Sequence, residues 1–290
     1  MDLRTDLDLA AGSKQTLNSG ELKITGGDLS FSQNGASAFT NTGKINLEAG
    51  RQFSVSSGSV NLQPGTTVSG ASATLSLLST RATLGVDLSN ADVGLDIGGG
   101  TTVGGTGKLI NAQGKTLDLS NSTINSALQN QGTLSIRGSE TINGALTNEA
   151  GAVLRVLGTT VNGSGNLTVA NGFTNSGTIQ LSSEGSSQAA VLTVTNGVLT
   201  NSTGAEIQVQ AGAGGHGAMV VVGRGLAPAP GGPPRSTREG RARAAPRYRA
   251  WRRRRRDRSG TCGDIQKTVE HVSLRLGYAP GVRPAASWRL

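Results

Sequence analysis

Asp87, Asp92 and Asp96 fall within ten residues of one another, and Asp8, Asp96 and Asp118 each stand between two apolar residues. Carboxylates whose pKa values are driven apart act as general acid and base, so this is the first chemistry to test. In Leu-Asp-Leu or Leu-Asp-Ile the alternation of a strand turns the carboxylate outward. No basic residue lies between Arg81 and Lys108 to complete a site. Residues 1–222 contain no Trp or Tyr on which a sugar ring could stack; their aromatics are Phe31, Phe39, Phe53 and Phe173. These carboxylates therefore read as solvated groups, and no catalytic residue is assigned. The single cysteine, Cys262, excludes a disulfide framework and any multi-cysteine metal site. His216, in a glycine run, and His271 are the only histidines, and no metal ligand is assigned. Gly104–Leu109 resembles a phosphate loop, but Thr102 stands where its first Gly is needed and Leu109 where Ser or Thr is needed. Gly212–Gly217 fits G-x-G-x-x-G without a surrounding βαβ unit. No cofactor is expected.

The second chemistry is charge. Arg252, Arg253, Arg254, Arg255 and Arg256 run together beside Tyr248 and Trp251. Arginines neutralise phosphates and aromatics stack on bases, so this run is expected to contact nucleic acid non-specifically. The run belongs to a distinct region. Residues 1–222 hold 10 Lys+Arg against 14 Asp+Glu, whereas residues 223–290 hold 17 against 4. Asparagine occurs 18 times before residue 223 and never after it. High charge with few apolar residues predicts a disordered tail over 223–290. Its basic residues are 16 Arg and one Lys among Ala, Gly and Pro, all served by GC-rich codons. Out-of-frame translation of a GC-rich gene produces the same pattern.

The elements that must position any site come from a repeat. A large apolar residue, one residue, Asn, a short Gly turn and alternating apolar residues recur, as in Leu128-Gln-Asn130-Gln-Gly132-Thr-Leu134-Ser-Ile136 and Phe173-Thr-Asn175-Ser-Gly177-Thr-Ile179-Gln-Leu181. The other copies place Asn41, Asn111, Asn148 and Asn201 at the same point. Asn and Gly tolerate positive φ and turn the chain sharply. A strand this short cannot bury its apolar face alone, but coils stacked at ~4.8 Å share one core. The expected fold is all-β, a right-handed parallel β-helix (β-solenoid) over residues 15–222, after a lead-in at 1–14. Roughly ten coils give a rod about 50 Å long. Leu134, Ile136, Ile179, Leu181, Ile207 and Val209 are expected inside, and the six asparagines are expected to form an amide ladder along one corner. A flexible linker has no reason to alternate, and a β-sandwich has no reason to repeat its turn at a fixed corner.

These copies, over about residues 15–210, resemble the β-strand repeats of autotransporter passenger regions and filamentous-haemagglutinin-like exported bacterial adhesins. The resemblance implies a structural or adhesive stalk fragment, secreted or at the cell surface, facing an unknown host or surface ligand. The start of the chain lacks the pattern of a signal peptide, and no window is apolar enough for a membrane span. The coil ending near Val209 is followed by sequence poorly suited to cap it, so self-association through that coil is expected. The alternative is a β-solenoid carbohydrate-active enzyme, which a carboxylate–basic cluster on one face would favour.

Overall fold

The computed structural model describes residues 15–32, 37–184 and 188–210, together with the backbone of the short strands Asp2–Leu3, Leu7–Asp8, Met219–Val222, Leu226–Pro228 and Val272–Ser273. The chain is a parallel β-solenoid of about eight turns. At ~4.8 Å per coil the stack is about 40 Å long. That is shorter than expected, because several coils are longer than 20 residues.

Each coil of the C-terminal half contributes three strands. Thr116–Ser120, Thr133–Arg137, Val153–Gly158, Thr178–Ser183 and Glu206–Val209 stack in parallel as part of the first sheet. Thr102–Gly105, Thr123–Ile124, Ser139–Ile142, Gly165–Val169 and Ala190–Val194 stack as part of the second. Leu109–Asn111, Leu128–Asn130, Leu146–Asn148, Phe173–Asn175 and Leu199–Asn201 form most of the third. Alternation dictates the faces. Leu134, Ile136, Ile179, Leu181 and Ile207 are buried in one continuous core, and Val209 packs against it. The second sheet adds Val103, Ile124, Ile142, Val169 and Val194 to the same core. Near the N-terminal end Phe31, Phe39 and Phe53 fill it edge to face, with ring centroids 5.7 and 5.1 Å apart.

Two insertions explain the longer intervals between the later asparagines. Both fall between the first and second sheets. One is the loop between Val153–Gly158 and Gly165–Val169, where Thr159 and Gly163 form an antiparallel bridge. The other precedes Ala190–Val194 in the next coil.

The repeat glycines correct a sequence expectation. In the longer turns Gly114, Gly151 and Gly204 do adopt positive φ, at 72°, 79° and 85°. In the shorter turns Gly132 and Gly177 do not; they are required by close approach. A Cβ on Gly132 would lie 2.3 Å from the Lys115 carbonyl oxygen, and one on Gly177 would lie 2.2 Å from that of Ala152. Each short turn thus nests on the long turn of the preceding coil.

Two short strands after residue 210 also pair in parallel. Met219–Val222 pairs with the strand Ala190–Val194, and Leu226–Pro228 pairs with Leu199–Asn201. Val272–Ser273 lies antiparallel against Met219–Val222. Among the described residues these strands cover the ends of the second and third sheets, whereas Glu206–Val209 is the last strand of the first.

Candidate functional site: polar columns inside and outside the solenoid

Most of the buried polar groups gather at two corners of the coil. At the first, Asn90, Asn111, Asn130, Asn148, Asn175 and Asn201 form an unbroken ladder. Each Nδ2 donates to the Oδ1 of the next residue over 2.6–2.7 Å. The second amide proton of Asn130 goes to the Val153 carbonyl, and those of Asn148 and Asn175 go to the carbonyls of Thr178 and Glu206. Asn201 ends the series by donating to the Ala205 carbonyl. All six are buried.

Asn41 does not belong to this ladder. It ends a second-sheet strand in register with Leu62, accepts from Asn18 Nδ2 at 2.6 Å and donates to Thr66 Oγ1 at 3.2 Å. The N-terminal coils therefore carry a separate series, Asn18–Asn41–Thr66. Sequence reasoning missed Asn18, Thr66 and Asn90. Leu88-Ser89-Asn90 carried the Leu-x-Asn signal without the glycine that follows it elsewhere.

The second corner is a column of hydroxyls. Thr80 Oγ1 lies 2.9 Å from the Val55 carbonyl oxygen, and Thr101 Oγ1 lies 2.7 Å from those of Leu77 and Gly98. Ser122 and then Glu140 continue the column, and Leu167 follows in register with Glu140. Glu140 is 1% exposed. Its Oε2 accepts from the Ser122 backbone N–H at 2.9 Å, while its Oε1 has no hydrogen-bond partner. Burial pushes the carboxyl up to about 8, against the smaller lowering effect of its hydrogen bonds from Ser122. Sequence reasoning missed Glu140 because Gly-Ser-Glu-Thr looks like a surface turn. Its signal was Ile142, two residues on and inward-facing.

Outside, the first sheet gathers charge. Register places Asp96 beside Asp118, since Ile97 pairs with Leu119. Ser76 Oγ donates to Asp96 at 2.9 Å. Arg137 Nε lies 3.6 Å from Asp118 Oδ1, with the two side chains 42% and 55% exposed. Arg155 occupies the position after Ser135 in the same column and donates to Gln180. The sequence correctly turned Asp96 and Asp118 outward. However, its search for a basic partner stopped at Lys108, whereas stacking brings Arg137 from two strands further on. Asp87 instead accepts from the Lys108 backbone N–H at 2.8 Å.

Gly104 and Gly105 end a second-sheet strand, and a Cβ on Gly107 would lie 1.9 Å from the Val86 carbonyl oxygen, so that stretch is a packed turn. The side chain of Asp8, both histidines, Cys262, Gly212–Gly217 and Arg252–Arg256 lie outside the described residues. Among the described residues no three His, Cys, Asp or Glu gather to hold a metal, and no helix is long and apolar enough to cross a membrane. No family model, curated protein or solved structure matches the chain.

Proposed function

We propose that this chain is a structural stalk segment of a secreted or surface-displayed bacterial protein, related to autotransporter and filamentous-haemagglutinin-like adhesins, and that it spaces and presents an adhesive surface without making or breaking bonds. The observation that supports this reading is the use made of the buried polar groups. The asparagine ladder bonds coil to coil along one corner, and the buried threonine hydroxyls are satisfied by neighbouring carbonyls. In this reading the terminal coil also mediates self-association, and the partner is a host or surface ligand.

The test removes one coil. Deleting residues 112–130 joins Asn111 to Gln131 and preserves the order of strands. A stalk keeps its cooperative melting, shortens by one strand spacing and still attaches to cells or surfaces when immobilised. Loss of attachment from the folded, shortened rod would overturn the reading.

One observation favours a second reading, a carbohydrate-active enzyme. It is the juxtaposition of Asp96, Asp118 and Arg137 on one sheet face. Release of reducing or unsaturated ends from a polysaccharide, lost in Asp118→Asn, would establish it in place of the stalk.

A further inference from the structure

The outer face of the second sheet repeats one residue type. Thr102 pairs with Thr123, Thr123 with Thr141, Thr141 with Thr168 and Thr168 with Thr193. Five consecutive coils thus present threonine at one position, about 4.8 Å apart along the stack. The next residue in each strand is a buried Val or Ile that fixes the backbone in the core. All five threonines are half-buried, and none of their hydroxyls has a hydrogen-bond partner among the described residues. β-Branching holds χ1 in few states, so hydroxyl and methyl are preset. Across these coils the face carries no charge, because Glu140 on the same sheet points inward. The first sheet is charged on its outer face, and the third repeats threonine on only three coils after Ile110 and Gln129.

The chemistry of this face narrows its partner. Soluble macromolecules are held by aromatic and arginine anchors, and these five coils have neither; the column meets an arginine only at its edge, where Arg81 stands in register with Thr102. Its neutrality matches an uncharged partner and offers nothing to an ionic one. Weak hydroxyl contacts add up only against a partner that repeats with them. A threonine hydroxyl both donates and accepts, as each water of a crystal does. We propose that the column Thr102, Thr123, Thr141, Thr168 and Thr193 is an ice-binding face, its hydroxyls and methyls repeating close to the oxygen spacing of the ice lattice and anchoring ordered water to it. This inference is independent of the stalk reading, since a rod of either function can carry it.

The test measures thermal hysteresis and ice recrystallisation with the full-length chain, alongside Thr141→Tyr, Thr168→Tyr and, on the outer face of the first sheet, Gln180→Tyr. Circular-dichroism melting verifies the fold of each variant. Wild type and Gln180→Tyr are expected to separate freezing from melting, and both threonine variants are expected to lose that gap with unchanged melting of the protein. Should a tyrosine variant fail to fold, Thr141→Ser, which keeps the hydroxyl and removes the methyl, is expected to narrow the gap. No gap in the wild type, or equal loss in Gln180→Tyr, overturns the proposal. So does retention on insoluble neutral glucan, abolished by Thr141→Tyr, in a wild type without hysteresis; the face would then belong to a polysaccharide.

Discussion

Glu140 occupies a position that its neighbours in the column fill with Ser122 on one side and Leu167 on the other. The adjoining second-sheet strands, Thr123–Ile124 and Gly165–Val169, carry no titratable side chain. The nearby first-sheet strands contribute Asp118 and Arg137, which pair with each other on the outer face. Desolvation therefore governs the carboxyl, and its value of about 8 lies above the ordinary 4.5. A raised folded-state pKa means that the folded chain holds a proton which the unfolded chain releases. The associated stability is complete below pH 4.5, declines as pH rises toward 8 and is lost above it. Glu140→Gln removes this dependence. Denaturant titrations at acid, neutral and alkaline pH should show the variant overtaking the wild type through that window by a few kcal/mol. The ladder gives a second expectation at this scale. Asn148→Ala strands the Asn130 amide, the Asn175 side-chain oxygen and the Thr178 carbonyl, costing about 2–4 kcal/mol, whereas Asn201→Ala strands only the Asn175 amide and the Ala205 carbonyl and costs about two-thirds as much. Equal losses would show that the bonds do not act as a series.

At the scale of the element, the turn decides which substitutions are tolerated. Gly132→Ala drives a methyl into backbone oxygens of the preceding coil and should cost about 3 kcal/mol, since neither carbonyl can move without losing its own bond. Gly151→Asn meets open space and needs only positive φ, so it should cost well under that. Thermal melting of the two variants separates close approach from conformational strain. This difference was not legible in the sequence, where both glycines follow an asparagine. The strands themselves were legible, because Leu134-Ser-Ile136 and Ile179-Gln-Leu181 alternate cleanly and each is too short to be stable alone. The corner asparagines were legible where a large apolar residue preceded them and a glycine followed. Before Asn18 the apolar residue is Leu17, one position too close, and Asn90 lacks the glycine; neither residue announces its partner along the chain. The Asp118–Arg137 pair was hidden for a related reason. Stacking sets that contact, so its partners are separated by one coil of sequence and the spacing varies with every insertion.

On the scale of the whole molecule, contacts run between neighbouring coils, so stability is close to a sum of local terms along one axis. Amides of the interior strand Thr133–Arg137 should exchange at least about tenfold more slowly than those of Gln15–Asn18, which sit near one end. Uniform exchange would point to a single cooperative unit. Leu134→Asp places an unpaired charge between Leu117 and Leu154 and should abolish cooperative unfolding of the central coils. The asparagine ladder also gives this axis a direction. Every amide from Asn90 to Asn175 donates toward the higher-numbered coil. Backbone dipoles of a sheet largely cancel, but these side-chain dipoles point one way and add. The rod therefore has an electrical head and tail. Both ends of the series close within the chain, Asn201 donating to the Ala205 carbonyl and Asn90 Oδ1 accepting from the Ala112 backbone N–H. The summed dipole therefore orients a second copy without bonding to it, and the same sense is favoured over tail against tail. End-to-end growth of this chain should accordingly yield polar filaments rather than closed two-fold dimers.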